Sequence, residues 1–295
     1  MFVSAKVAKK KDISFYNSIN FTIFAKKKMK RWVLFMLFAL IVLLLLVYCA
    51  YYIRPYYAPA VKHEGLNVAQ HDDDTIRIAY IGDSWADGHK KVRCVIDSII
   101  SRETQRNVEV KTAGISGLTS KNIYYGIYRD DSMRSAIEWG PNFCFVVAGI
   151  NDTDRKMGKH YYQENMRLII ELLLNNQITP IILEIPSYDI RFSYQRRNRE
   201  IKIQYLVSML LTWSAMDCIQ DYRNAYKDMI RKQNWEDSVI TISVDDWNPI
   251  GYKDKRGLYD GGHMHLNERG YLVLDSCIAQ KVVNHLNTQS DSVCR

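Results

Sequence analysis

The chain has 295 residues, 47% hydrophobic and 24% charged, a balance that suits a globular domain with accessories and excludes a disordered or fibrous chain. Its formal charge of +8 sits at one end: residues 1–31 carry nine Lys/Arg and one acid, leaving 31 basic and 31 acidic residues in the remainder. A folded part without charge excess has no need of a basic face, so no nucleic-acid partner is expected.

Taken in chain order, the basic tail, residues 1–31, leads into WVLFMLFALIVLLLLVYCAYYI, the 22 uncharged residues Trp32 to Ile53. At about 1.5 Å per residue this run spans the roughly 30 Å hydrocarbon core of a bilayer. Lys26, Lys27, Lys28, Lys30 and Arg31 precede it, and only Arg54 and Lys62 follow closely. The positive-inside rule then places the tail in the cytoplasm and everything after Ile53 outside. The competing reading is a cleaved signal peptide, with Ala58-Pro59-Ala60 as a small-residue cleavage site. Signal peptides usually have a shorter apolar region of about 7–15 residues, which favours an uncleaved single-pass anchor in the cell membrane. The domain beyond it would be extracytoplasmic, and periplasmic in a Gram-negative cell. Residues 54–74, RPYYAPAVKHEGLNVAQHDDD, show no sustained periodicity and read as a linker to a domain filling 75–295.

Five β-rich runs follow: Ile76–Ile81, Val108–Thr112, Phe143–Ala148, Ile178–Ile185 and Val239–Val244. Several are apolar on both faces, as strands covered by helices on each side should be. Amphipathic stretches fall between and after them, at about Cys94–Thr104, Tyr161–Leu174, Ile201–Trp213, Asp221–Lys232 and Glu268–Asn284. The alternation predicts an α/β fold, a three-layer α/β/α sandwich on a central parallel sheet. Cys49, Cys94, Cys144, Cys218, Cys277 and Cys294 include no CxxC pair and imply no disulfide framework.

Ligands in such sheets bind beyond the C-terminal ends of the strands, and polar residues gather there. Gly82-Asp83-Ser84 follows the first strand, and Ala113-Gly114-Ile115-Ser116-Gly117-Leu118-Thr119-Ser120 the second. Gly149-Ile150-Asn151-Asp152 follows the third, and Asp260-Gly261-Gly262-His263-Met264-His265-Leu266-Asn267 precedes the last helix. This ordered set resembles the SGNH hydrolase superfamily, also called the GDSL esterase/lipase family, over about Ile76 to Val283. The resemblance implies a flavodoxin-like SGNH hydrolase fold and a serine hydrolase of ester bonds. It makes Ser84 the nucleophile and makes the Ser84 N–H, the Gly117 N–H and the Asn151 side chain the oxyanion hole. A serine hydroxyl needs an adjacent base, usually a histidine oriented by a carboxylate. Here the sequence offers two. Asp260 to His263 has the family's Asp-x-x-His spacing, whereas His265 lies two residues before Asn267, the expected cap of the final helix. His265 with Asp260 is preferred, although Gly262 then occupies the usual aspartate position; His263 is the alternative base.

Each residue also has a plainer reading. Ser84 could cap the following helix, Gly117 could serve a turn and Asn151 an Asx-turn. The His-x-His pair could hold a metal, but no third ligand suggests itself, so neither metal nor cofactor is expected. The remaining histidines read as surface residues, Trp85 as a packing residue or a sugar platform, and Arg191, Arg196, Arg197 and Arg199 as a solvated helix face or a basic rim. The expected activity is removal of an O-acyl group, acetyl in the first instance, from a carbohydrate through an acyl-serine intermediate. The partners are then the membrane, through residues 32–53, and an acylated glycan or lipid. A lipase or lysophospholipase, an O-acyltransferase using the same serine, and a catalytically dead glycan-binding module are the alternatives.

Overall fold

The computed structural model describes residues 30–48, 53–261 and 263–293, with side chains to residue 289. Most of the basic tail, part of the 32–53 span, Cys49, Gly262 and Cys294 lie outside the described residues. The chain divides into two compact units, Met1–Ala58 and Pro59–Arg295. In the first, helix α1 (Lys30–Tyr48) has a mean hydropathy of 2.6 and is long and apolar enough to cross a membrane; a signal sequence has the same character. A single turn, α2 (Arg54–Tyr57), follows it.

The second unit begins earlier than its sequence periodicity suggests. The segment expected as a linker over 54–74 is divided, and from Pro59 its extended backbone is strapped to the domain. Ala60 N–H donates to Asn165 at 2.8 Å, His63 N–H to the Tyr124 hydroxyl at 2.8 Å, and Ala69 N–H to the Glu138 carbonyl at 2.9 Å. Lys62 reaches Glu171 at 2.6 Å.

The sheet consists of β1 (Ile76–Gly82), β2 (Val108–Gly114), β3 (Phe143–Val147), β4 (Thr179–Leu183) and β5 (Ile240–Ile242). All pairings are parallel, in the order β2-β1-β3-β4-β5. Every residue of β1 and β3 is buried, the signature of strands covered on both faces, while the edge strand β2 is partly exposed. The helices are α3 (Ser84–His89), α4 (Ile96–Thr104), α5 (Ser120–Arg129), α6 (Asp131–Glu138), α7 (Ile150–Asp154), α8 (Lys159–Asn175), α9 (Ile190–Arg196), α10 (Arg199–Thr212), α11 (Ile219–Gln233), α12 (Val244–Trp247) and α13 (Glu268–Val293). Helix α13 packs on α4, and α8 packs on both α5 and α11, giving the two outer layers of the sandwich.

The strand order matters for function. From β1 the chain moves to one neighbour, β2, and then returns past β1 to the other, β3. The loops leaving β1 and β3 therefore diverge and open a crevice between them, the switch point of a doubly wound sheet. The two strands approach closely there: a Cβ on Gly82 would stand 2.4 Å from the Val147 carbonyl oxygen, so only glycine fits.

Candidate active site

At the end of β1 the backbone turns directly into α3. Asp83 is the N-cap, its carboxylate accepting the Trp85 N–H at 3.0 Å. Ser84 is thereby relieved of capping, and its hydroxyl turns to the crevice, where His265 Nε2 lies 2.9 Å from Ser84 Oγ. The plainer reading of Ser84 as a cap fails because its neighbour does that work.

His265 is placed by a tight reversal ahead of α13. Tyr259 and Leu266 form an antiparallel bridge, Asp260 N–H donates to the His265 carbonyl at 2.9 Å, and Asn267 N–H donates to the Leu258 carbonyl at 3.0 Å. Asn267 also caps α13 by accepting the Gly270 N–H at 3.0 Å. The reversal sets Asp260 opposite His265, with Asp260 Oδ2 3.9 Å from His265 Nδ1, on the side of the ring away from Ser84. This is an ion-pair separation, longer than a hydrogen bond. Both side chains are open to solvent, at 43% and 46% exposure.

His263 is elsewhere. Its backbone is left-handed, with φ of 56°, and its ring lies between those of Phe192 and Tyr252, with centroids 5.5 and 5.7 Å away.

Two contacts lock this loop onto α3. The buried Trp85 ring donates from Nε1 to the Met264 carbonyl at 3.1 Å, and the Tyr271 hydroxyl of α13 donates to the Trp85 carbonyl at 2.9 Å. With no exposed face, Trp85 is a packing and tethering residue rather than a platform for a sugar.

The other two expected residues line the neighbouring loops. Gly117 has φ of 83°, a conformation open to glycine and costly for other residues, and its carbonyl accepts from Arg155 Nη2 at 2.8 Å. Asn151, in the first turn of α7, donates from Nδ2 to Asp83 Oδ2 at 3.0 Å. The carboxylate that caps α3 thus also orients Asn151. One amide N–H is used in this bond, and the amide carries a second.

Sequence reasoning passed over the acids beneath this floor. Asp83 and Asp152 are both fully buried, and Asp152 accepts from the backbone N–H and hydroxyl of Ser120. Burial raises the Asp83 carboxyl to about 7, opposed by the Trp85 N–H and reinforced by the Asp152 charge. Burial likewise raises Asp152 to about 6, opposed by the Ser120 hydrogen bonds. The Gly-Asp-Ser and Asn-Asp strings held both acids in view, but burial is a tertiary fact.

The expectation of surface histidines fails at His89, which is 2% exposed. Its Nε2 lies 2.9 and 3.1 Å from the two oxygens of buried Asp275, its Nδ1 lies 3.3 Å from Thr112 Oγ1, and Tyr80 stacks on its ring at 4.2 Å. His89, Asp275 and Cys94 bring ligand atoms within 4.8 Å of one another, the one grouping of metal-ligating type among the described residues. The Asp275 carboxylate is already engaged there by His89 and by the Val95 N–H at 3.2 Å.

A polar crevice at a β1/β3 switch point, with a serine against a histidine and amide donors on adjoining loops, can perform acyl transfer. Comparison with known proteins agrees with that chemistry. The model of the GDSL-like Lipase/Acylhydrolase family matches residues 80–273, about two thirds of the chain. No curated protein matches. Among solved structures, a GDSL-like lipase from Bacteroides thetaiotaomicron is similar at 18% identity, covering 70% of this chain and 87% of its own, with a TM-score of 0.44. A lipase/acylhydrolase from Enterococcus faecalis is 15% identical over 71% of this chain and 96% of its own, with a TM-score of 0.48. An acetylxylan esterase from Geobacillus stearothermophilus is 13% identical over 70% and 94%, with a TM-score of 0.48. On the extent of the family match, the chain belongs to the GDSL-like lipase/acylhydrolase family, the SGNH-type hydrolases of ester bonds.

Proposed function

We propose that this enzyme is a membrane-anchored, outward-facing esterase that removes a short O-acyl group, acetyl in the first instance, from a carbohydrate. The observation that carries the chemistry is the 2.9 Å approach of His265 Nε2 to Ser84 Oγ. In this reading His265 takes the serine proton as Oγ bonds to the acyl carbon, and Asp260 stabilises the imidazolium from the Nδ1 side. Asp260 must close from 3.9 Å to hydrogen-bond distance, a tightening that substrate-free sites commonly leave to the reaction complex. The oxyanion of the tetrahedral intermediate is met by the N–H groups of Ser84 and Gly117 and by the second amide N–H of Asn151. As the bond to the leaving alcohol breaks, His265 returns the proton to that alcohol. Water then adds to the acyl-serine with His265 again as base, releasing the acid and restoring Ser84.

The choice of substrate rests on exposure. With His265 and Asp260 each more than two-fifths exposed, the rim is open and polar, which suits a small acyl group on a bulky hydrophilic alcohol. The anchor reading rests on α1 and on the charge asymmetry around it. The test compares acetylated oligosaccharides with esters of lengthening acyl chains. Loss of kcat/KM beyond a few carbons supports the proposal. A preference for long chains favours the lipase reading, and acyl appearing on an added sugar favours transfer.

A further inference from the structure

Helix α10 is built the wrong way round for a helix that only packs on its own domain. Its inward line is Tyr205 and Ser208, both buried, flanked by the part-buried Lys202, Met209 and Thr212. The opposite side carries Ile203, Leu206, Val207, Leu210 and Leu211, all exposed, at 44–71%. Spacings of three and four residues place them on one face, with Arg199 at its N-terminal end. Between Pro59 and Gln289, seven of the eleven exposed large apolar side chains fall within Ile201–Trp213. A contiguous apolar face of this kind marks an interaction surface.

Two further features say what it meets. Trp213, the helix C-cap, is 91% exposed and has φ of 54°, a left-handed position where glycine or asparagine is ordinarily found. A large aromatic at so exposed and conformationally costly a position has the character of an interfacial anchor, with an apolar body and a polar N–H. The stretch Ile190–Trp213 also carries five Lys/Arg and a single acid, Glu200. Arg197 is engaged by Asp154 at 2.7 Å, while Arg191 and Arg196 of α9 and Arg199 at the start of α10 are exposed, Arg196 lying over the Phe192 ring at 5.4 Å. An apolar stripe, a terminal tryptophan and flanking arginines form the pattern of a helix lying in the surface of an anionic bilayer. The same chain contains a helix of membrane-spanning length.

We propose that α10 is a second membrane contact, docking the hydrolase domain in the headgroup layer of anionic lipid through Ile203, Leu206, Val207, Leu210 and Trp213. The α9–α10 segment is tied to the crevice from two sides: Asp189 N–H donates to the His263 carbonyl at 3.2 Å, and Ser193 and Arg197 bind Asp154 of α7. Docking would therefore be felt, through these bonds, at the loop that carries His265 and at α7, which carries Asn151. Any effect on catalysis rests on the proposed role of Ser84; the docking does not.

The test places the full chain in bilayers of phosphatidylcholine and phosphatidylglycerol brominated on their acyl chains. Emission of Trp213 is read as the difference between wild type and Trp213→Phe. Docking predicts that this difference emission loses most of its intensity to the brominated lipid, and loses less when the phosphatidylglycerol is omitted. A Leu206→Glu/Leu210→Glu variant should escape the quenching while hydrolysing a soluble short-chain ester at the wild-type rate, which shows that it is folded. Quenching should persist in Ser84→Ala, so the two proposals fail separately. Trp213 emission that stays accessible to aqueous iodide in the bilayer would overturn docking. So would failure of the chain to associate with lipid, or a dimer that Leu206→Glu/Leu210→Glu disperses.

Discussion

Replacing Asp83 by asparagine tests whether one buried carboxylate controls the oxyanion donor. Asp83 has no exposed surface and divides its oxygens between two donors: Oδ1 takes the Trp85 N–H at 3.0 Å and Oδ2 takes Asn151 Nδ2 at 3.0 Å. Asp83→Asn preserves shape but converts one acceptor into an NH2 group, leaving a donor facing a donor. An unsatisfied buried donor costs about 1–3 kcal/mol. If the loss is felt through the orientation of Asn151, it corresponds to roughly 5- to 150-fold in rate. Complete removal of an oxyanion donor costs about 100- to 1000-fold, which sets the ceiling. Steady-state kinetics on a short-chain ester should therefore show Asp83→Asn lowering kcat by about tenfold to a hundredfold with little change in KM, and Asn151→Ala lowering it further. Because both act through one amide, the double variant should resemble Asn151→Ala alone. If the two losses multiply, or if Asp83→Asn changes KM and spares kcat, Asp83 does not act through Asn151 and the reasoning fails.

Other consequences can be checked alongside. His265→Ala should lose about as much activity as Ser84→Ala, whereas His263→Ala, whose ring sits between Phe192 and Tyr252, should lose little; the reverse order would restore the Asp260–His263 spacing as the guide. Trp85→Phe keeps an aromatic core residue but deletes the bond to the Met264 carbonyl, so thermal melting should show a loss of about 0.5–1.5 kcal/mol, with kcat lowered as the His265 loop loosens. Asp83 and Asp152 titrate near 7 and 6 in the fold, against 3.8 ordinarily. The folded state thus binds more protons than the unfolded chain between about pH 4 and 7, so their contribution is present at low pH and lost as pH rises through that window. Each can change stability by up to about 1.4 kcal/mol per pH unit there. The Tm of Asp83→Asn should accordingly fall less than that of wild type between pH 5 and 8, and parallel curves would contradict the raised carboxyl.

What the sequence disclosed and what it withheld follow from the range of the interactions. Continuous apolar runs such as IRIAYI and FCFVV identify doubly covered strands, and the five strands lie where those runs are. Chain order then brings the polar strings to one edge of the sheet. Helices α5 and α6 are amphipathic but short, at 10 and 8 residues, and Gly126 within α5 reads as a breaker, so neither stands among the elements expected from the sequence. The strap from Pro59 has no periodicity because its bonds run from backbone N–H groups to tyrosine hydroxyls and an asparagine on distant helices. His89 looks like a polar residue on a short helix; its partner Asp275 stands 186 residues away. The double duty of Asp83 belongs to the same class, since Asn151 is 68 residues distant.

The most direct test of the central claim is covalent. Treating the full chain with a fluorophosphonate and mapping the adduct by mass spectrometry should place a single phosphonyl group on Ser84, displaced by prior incubation with substrate. It should be absent from Ser84→Ala and much slower in His265→Ala, because the hydroxyl would then lack its base. A modified residue other than Ser84, or wild-type ester hydrolysis by Ser84→Ala, would contradict the assignment of Ser84 as the nucleophile.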